Sequence, residues 1–362
     1  MLSSPSCWRA MDSRPSLPPS APITGADGAA HRTRGWLRRA RGAGSLVCPR
    51  RALSAHPHWR ASKDHDAGKS LMTFPVLSGM APLAGRYDAA ILDLWGVLHD
   101  GQKPTPGALR CLAEMRAAGW RLVLLSNAPR SLEATRDQIA TFGIQPGSYD
   151  AIVTSGGLSR TALEARADPW HAKLGKRFYH LGPERDHGLL NGLDYEQVQT
   201  PERAHFILNT GLFDDETETA ADYGGLLALA KHKNMPMLCA NPDRFVHRGA
   251  KLVPCAGAIG EAYEAMGGDC HYHGKPFAAA YAACFAHLNG VPPARVIAVG
   301  DSLATDIKGA NIAGIDSVLV LEGLHAAEFG ALPGRDADLN AVDSAATRLN
   351  ARPTAILRGF VW

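Results

Sequence analysis

The sequence of 362 residues contains no apolar run that approaches the roughly 20 residues needed to span a bilayer, so we expect no membrane helix. Its seven cysteines include no Cys-x-x-Cys pair, and this spacing predicts reduced, buried thiols rather than a disulfide framework or a cysteine metal site. With 46% hydrophobic residues, the chain can bury a full core and more than one domain. These features are typical of a globular cytoplasmic protein.

Acidic residues are scarce at the start of the chain. Residues 1–70 contain 12 Lys/Arg and 4 Asp/Glu, whereas the remainder of the chain contains 26 Lys/Arg and 31 Asp/Glu. The overall charge of +3 therefore comes from this leader and gives little reason to expect a nucleic-acid partner. Residues 1–71 lack apolar periodicity and are predicted to be disordered. They are either a transit peptide or the product of a start codon assigned too far upstream, in which case Met72 is the true first residue. We prefer the second interpretation.

Short apolar runs alternate with helical patterns along the rest of the chain. Such alternation predicts an α/β fold with a doubly wound, Rossmann-like parallel sheet. The runs predicted as strands are residues 89–92, 121–126, 151–154, 178–181, 205–209, 236–240, 296–299 and 317–321.

The predicted core is interrupted by a segment with strands and a helix of its own. Residues 155–240, about 85 residues, are long enough for a small α/β cap domain inserted into the core. The core would then consist of residues 72–154 and 241–335, and residues 336–362 would form a tail that packs on it. A cap in this position is expected to stand over the active site.

Polar residues follow several of the predicted strands. In open parallel sheets, ligands bind beyond the carboxyl ends of the strands. Asp93, Ser126 and Asp301 hold that position directly, and Lys275 follows a shorter apolar run over residues 270–273. We therefore expect these four side chains to converge.

Each of these residues has a chemical and an ordinary structural interpretation. Asp93 can attack phosphorus and form an acyl phosphate, or it can simply cap a strand end. Ser126 and Asn127 can bind a phosphoryl oxygen or form a turn. The ammonium group of Lys275 can neutralise phosphate charge and restrain the nucleophile, although an isolated lysine is usually solvated.

Two further carboxylates predict a metal site. Asp301 and Asp306 flank a strand-to-helix turn, and together with Asp93 they offer the hard oxygen ligands that suit Mg²⁺. The alternative is helix capping by Asp301 and Ser302.

Substrate contacts are expected from Arg130 after the second strand and from polar residues of the cap region, for which the candidates are Arg185, His187, Asn209 and Arg244.

Residues 88–323 resemble the haloacid dehalogenase-like hydrolase superfamily, subfamily IIA, the group of p-nitrophenyl-phosphatase-like, phosphoglycolate and pyridoxal phosphate phosphatases. The resemblance rests on four segments: Asp93-Leu-Trp-Gly-Val-Leu, Leu124-Leu-Ser-Asn, His273-Gly-Lys-Pro and Gly300-Asp-Ser-Leu-Ala-Thr-Asp306. It implies that Asp93 is the nucleophile. It also implies that Asn241-Pro-Asp243 is the hinge at which the cap rejoins the core. Because caps of this subfamily often dimerise, it further implies a homodimer through the cap.

The resemblance further implies the metal ligands. Trp95 would offer its backbone carbonyl to Mg²⁺, and Asp301 would be a direct ligand. Asp306 would either bind the ion directly or hold one of its direct ligands. At the position of Trp95 the family normally carries an Asp that protonates the leaving group. Its loss removes a contribution of about 10² to 10⁴ in rate. His99 and Asp100 are alternative acids, but their offset from Asp93 differs from that of the family's Asp.

The first hypothesis is therefore a Mg²⁺-dependent phosphatase that acts on a small phosphorylated metabolite, a sugar phosphate or a nucleotide-like compound, through an aspartyl phosphate. The alternative is a catalytically weak phosphate-binding or regulatory protein, because Trp95 cannot transfer protons. Lesser alternatives are phosphotransfer and dehalogenase-like hydrolysis, since dehalogenases of the superfamily carry an aromatic residue at this position. Asp301 and Asp306 favour phosphate chemistry, for which a metal is useful.

Overall fold

The structure, a computed structural model, describes residues 74–332 and 334–362. The predicted disordered leader, residues 1–71, lies outside the described residues. The strands are, in chain order, β1 Val76–Leu77, β2 Ala89–Asp93, β3 Arg121–Ser126, β4 Ala151–Thr154, β5 Arg177–Leu181, β6 Glu196–Val198, β7 Phe206–Asn209, β8 Met237–Cys239, β9 Phe245–Arg248, β10 Lys251–Pro254, β11 Cys270–Tyr272, β12 Val296–Gly300, β13 Asp316–Val320 and β14 Ala355–Leu357.

Helices connect most of these strands, as the alternating sequence pattern predicts. A stretch of π-helix, Leu303–Ile307, precedes α8. The α-helices are α1 Ala108–Ala117, α2 Leu132–Thr141, α3 Ser155–Ala165, α4 Pro169–Lys173, α5 Gly224–His232, α6 Ala256–Ala265, α7 Ala278–Phe285, α8 Lys308–Ala313 and α9 Leu339–Leu349. Among the described residues, no helix combines the length and the apolar character that crossing a membrane requires.

The larger sheet has seven strands in the order β1-β14-β13-β12-β2-β3-β4, and every neighbouring pair is parallel. Successive residues of β2 pack on opposite faces, because side chains alternate along a strand. Ala90 and Leu92 join the apolar cluster of α1, whereas Ala89 and Ile91 join the cluster of α7. The sheet is thus covered by helices on both faces, and the predicted doubly wound α/β fold is confirmed.

A second parallel sheet of five strands has the order β11-β8-β7-β5-β6. Its edge strand β11 pairs with β8, with Cys270 opposite Met237 and Tyr272 opposite Cys239. The second sheet therefore continues beyond residue 240, where the sequence analysis ended the cap. The physical reason lies in α6, whose buried Ile259 packs in the same apolar cluster as Met237 and so holds residues 256–272 on this sheet.

The C-terminal segment contributes more than a docked tail. Strand β14 lies between β1 and β13 in the larger sheet, where Ile356 is fully buried. Helix α9 buries Val342 and Ala346 in the same apolar cluster. All eight strands predicted from the sequence are present, whereas β14 was missed because Ala355–Leu357 is too short to give a periodic signal.

Candidate functional site

The centre of the site is a buried ammonium group between two carboxylates. Asp93 ends β2, and Lys275 lies in the loop between β11 and α7. The Lys275 Nζ atom is 2.6 Å from Asp93 Oδ1 and 2.7 Å from Asp306 Oδ1, and Lys275 is only 2% exposed. The structure thus brings together three of the residues that the sequence analysis assigned to one site.

Electrostatics hold Lys275 in its charged form. Burial alone would lower the pKa of Lys275, but the carboxylates of Asp306, Asp93 and Asp243 outweigh burial and raise it well above its usual range. Lys275 therefore serves as a fixed positive charge and cannot act as a base near neutral pH. One ammonium is surrounded by more carboxylates than it can neutralise.

The remaining negative charge fits a divalent cation. Asp93, Asp301 and Asp306 offer ligand oxygens that all lie within 4.8 Å of one another. Burial, followed by the neighbouring Asp306, raises the pKa of Asp301 to about 7, because a buried carboxylate beside another carboxylate is costly to ionise. Carboxylate oxygens are the donors that Mg²⁺ prefers, so this donor set fits the metal predicted from the sequence.

Two glycines leave room for the carboxylate of Asp301. A Cβ added at Gly96 would lie 1.8 Å from Asp301 Oδ2, and a Cβ added at Gly323 would lie 2.2 Å from the same atom. The backbone N–H of Leu324 donates a hydrogen bond of 2.6 Å to Asp301 Oδ2. The backbone thus closes around this carboxylate and fixes its direction.

Asn127 contacts its neighbours through its entire amide group. Its Nδ2 atom donates to Asp243 Oδ1 at 2.9 Å and to the Lys275 carbonyl at 3.2 Å, and its Oδ1 accepts from the Lys275 N–H at 2.7 Å. The Oγ atom of Ser126 accepts from the Ala128 N–H at 3.2 Å, which leaves its own proton available for donation. The Asn127 side chain therefore positions Lys275 and Asp243.

Asp243 is the residue of the site that sequence reasoning missed. A cavity of about 30 Å³ is lined by Asp93 and Asp301, and a neighbouring cavity of about 60 Å³ is lined by Arg130 and Asn127. Asp243 lines both cavities, as does Trp95. Burial raises the pKa of Asp243 to about 6, although Lys275 and the hydrogen bond from Asn127 oppose the shift.

The two residues considered as replacements for the missing acid point elsewhere. His99 is fully buried with its ring edge against Trp95, and burial lowers its pKa to about 4. The carboxylate of Asp100 accepts hydrogen bonds from the N–H groups of Gln102 and Lys103 in its own turn. Neither residue lines the two cavities that Asp243 and Trp95 share.

The lining of the 60 Å³ cavity separates the sequence-predicted substrate contacts into two groups. Arg130 and Arg185 line it, and Arg130 Nε lies 3.5 Å from Asp186 Oδ1 of the second-sheet region. The other three candidates lie outside the cavity lining: Asn209 donates to the Ala256 carbonyl, Arg244 pairs with Glu261, and His187 packs on His180.

Comparisons with known proteins identify the family to which this chain is similar. A family model described as haloacid dehalogenase-like hydrolase matches residues 90–196, and one described as HAD-hydrolase-like matches residues 272–356. The solved structure of a haloacid dehalogenase-like hydrolase from Brucella suis 1330 is 34% identical. The similarity covers 79% of this chain and 100% of that one, with a TM-score of 0.68.

Two similar proteins are named as phosphatases. A 4-nitrophenylphosphatase of Schizosaccharomyces pombe is 27% identical over 67% of this chain and 86% of its own length. The structure of a glycerol phosphate phosphatase from Mycobacterium tuberculosis, in complex with magnesium, is 25% identical with a TM-score of 0.52. That similarity covers 72% of this chain and 77% of the other.

The contact between Gly323 and Asp301 yields a prediction about metal binding. Gly323→Ala should displace the Asp301 carboxylate and weaken Mg²⁺ binding by about 10- to 100-fold, the usual effect of disturbing the surroundings of a metal ligand. Isothermal titration calorimetry measures the affinity. Gly225→Ala is the matched control, because a Cβ at Gly225 meets nothing within 4 Å. Equal affinities in both variants would contradict the assignment of Asp301 as a ligand.

Proposed function

Because this chain belongs to the haloacid dehalogenase-like hydrolase family and its relatives are phosphatases, we propose that it hydrolyses a small phosphate monoester through a phosphoenzyme at Asp93. The observation that carries the proposal is the buried contact of Lys275 with both Asp93 and Asp306. A lysine in this place holds the nucleophile and supplies positive charge where a phosphoryl group arrives.

The two oxygens of Asp93 have different surroundings. Oδ1 is 2.6 Å from Lys275 Nζ and accepts a hydrogen bond of 2.7 Å from the Leu94 N–H. These contacts fix the carboxylate and leave Oδ2 as the attacking atom. In the first step Oδ2 bonds to phosphorus and the bond from phosphorus to the ester oxygen breaks. The Ser126 hydroxyl donates a hydrogen bond to a phosphoryl oxygen during this transfer.

The departing ester oxygen needs a proton, which Trp95 cannot supply. We assign this role to Asp243, because it lies between the cavity beside Asp93 and the cavity that would hold the leaving group. In the second step the ionised Asp243 takes a proton from water as the water oxygen attacks phosphorus. The bond to Asp93 then breaks, inorganic phosphate leaves, and both carboxyl groups return to their starting states.

Asp93, Asp301 and Asp306 would hold Mg²⁺, together with the backbone carbonyl of Trp95. A bound Mg²⁺ supplies Lewis-acid stabilisation of the charge on the phosphoryl oxygens. The residues of the chain supply the remainder: Lys275 fixes the nucleophile, and Asn127 holds both Lys275 and Asp243 in place.

The cavity beside the site favours a compact, polar leaving group. Its volume of about 60 Å³ would hold roughly four to six water molecules, because one water needs about 10–15 Å³ measured in this way. Arg130, Arg185 and Arg248 line it together with Asp186 and Asp215, so hydroxyl groups would find both donors and acceptors. From the polar lining of this cavity we propose a polyol or sugar phosphate as the substrate.

The first test of the function is phosphate release by the full chain across sugar, polyol and nucleotide phosphates, with Mg²⁺ or with EDTA. Turnover should require Mg²⁺ and fall at least about 10³-fold in Asp93→Asn, because the nucleophile is lost. Asp194→Asn is the control, because that side chain is 93% exposed. Binding of phosphate without turnover of any ester would instead favour the regulatory alternative, and metal-independent turnover would contradict the metal site.

The second test concerns the proton donor. Asp243→Asn should lower kcat/KM for an alkyl phosphate by about 10²- to 10⁴-fold, the usual value of general acid catalysis. The loss for p-nitrophenyl phosphate should be much smaller, because p-nitrophenolate leaves without a proton. Using kcat/KM confines the comparison to the step that releases the alcohol. An equal loss on both esters would assign Asp243 to positioning instead.

A further inference from the structure

Three histidines cluster outside the carboxylate site. His171 lies in α4, His271 in β11, and His273 directly after β11. Each offers a ring nitrogen, and these atoms all lie within 4.8 Å of one another. The Nε2 atoms of His171 and His273 are 3.0 Å apart. The proposed phosphatase mechanism uses none of these side chains.

The local structure explains why the rings meet. His271 and His273 are two residues apart in an extended segment, so their side chains leave the backbone on the same side. Trp170 anchors α4 against that side, because its ring stacks on His271 at 4.7 Å between centroids. Its indole Nε1–H also donates to the carboxylate of Asp269. The short α4 is thereby held against the end of β11.

A carboxylate fixes the orientation of His171. Asp168, the N-cap of α4, accepts hydrogen bonds from the backbone N–H groups of Trp170 and His171. Its Oδ2 atom is 2.5 Å from His171 Nδ1, so Nδ1–H donates to this carboxylate and Nε2 faces His273. Histidines that bind metals usually donate their other nitrogen to such a carboxylate.

The distance between the facing nitrogens suits a shared cation. Imidazole nitrogens bind zinc at about 2.0–2.1 Å, so two ligands of one tetrahedral ion lie about 3.3 Å apart. The Nε2 atoms of His171 and His273 are already close to that separation.

We propose that His171, His271 and His273 form a second metal site, which binds one zinc-type transition-metal ion and leaves a fourth position to water. Imidazole ligands suit zinc and similar metals, whereas Mg²⁺ prefers oxygen, so the two sites would select different ions. The ion would join α4 to the end of β11. His273 is two residues before Lys275, and its carbonyl accepts a hydrogen bond from Ser155, so the ion would brace the point where the chain returns to the larger sheet.

The competing account is a cluster of neutral imidazoles in which one Nε2–H donates to the other Nε2, with no metal. The two accounts differ in a titration of the full chain, purified without a polyhistidine tag and stripped with chelator. The probe is Zn²⁺ alone. Asp301→Asn serves as the background, because it weakens the carboxylate site by removing one of its three carboxylates.

We expect the Asp301→Asn protein to bind one tight equivalent of Zn²⁺, and the added change His171→Gln to weaken that binding at least 100-fold. Adding Asp168→Asn should weaken it about 10- to 100-fold, because the orienting carboxylate is lost. His287→Gln, at an exposed histidine, is the matched control and should leave the affinity unchanged. Absence of tight binding in the background, or unchanged binding in His171→Gln, would overturn the proposal.

X-ray absorption spectroscopy of the zinc-loaded full chain gives a test that does not depend on how the variants fold. We expect three imidazole nitrogens at about 2.0–2.1 Å from zinc. A first shell made only of oxygens, or one with fewer than two imidazoles, would overturn the assignment.

Discussion

The buried contact of Lys275 with Asp93 and Asp306 is the constraint on which the rest of the site depends. Charged groups lose several kcal/mol of hydration when they are buried, and only close pairing compensates for this loss. Here one ammonium lies 2.6 Å and 2.7 Å from two carboxylates that come from separate segments of the larger sheet. Removing one partner of such a pair typically costs about 3–5 kcal/mol, so the three segments must meet for the fold to be stable.

The same contact fixes the second sheet relative to the larger one. Lys275 follows β11, the edge strand of the second sheet, so holding its ammonium at Asp93 also holds the end of that strand. Asn127 adds hydrogen bonds to the backbone of Lys275 and to the carboxylate of Asp243. Asn127, which follows β3, thus aligns the segments of Asp243 and Lys275, both more than a hundred positions away in the chain. The wall of the leaving-group cavity is thereby built from both sheets.

Trp95 changes the distribution of roles in this arrangement. The indole N–H of Trp95 is too weak an acid to protonate a leaving group, yet the residue borders both cavities. Asp243, in the segment after β8, also borders both cavities. In our account the proton donor has moved from the loop after β2 to the segment after β8, while the nucleophile and the lysine have kept their places.

Much of the fold was predictable because parallel strands buried on both faces are continuous apolar runs. Asp93, Lys275, Asp301 and Asp306 were predictable because strand ends converge. Other features were not accessible, for physical reasons. Residues 270–272 read as a core strand, since the sequence does not specify which sheet a short run joins. Asp243 approaches Asn127 only in the folded chain, and His171 meets His271 across 100 residues, so no local spacing reveals either contact. The predicted homodimer remains a prediction.

The central claim, an aspartyl phosphate at Asp93, is tested most directly by trapping. The full chain is mixed with excess p-nitrophenyl phosphate and Mg²⁺, quenched within the first turnover, reduced with borohydride and digested for mass spectrometry. Borohydride converts an aspartyl phosphate to homoserine, so the account predicts homoserine at position 93 in proportion to the p-nitrophenol released. Release of one equivalent of p-nitrophenol per chain with an unmodified Asp93 would contradict it.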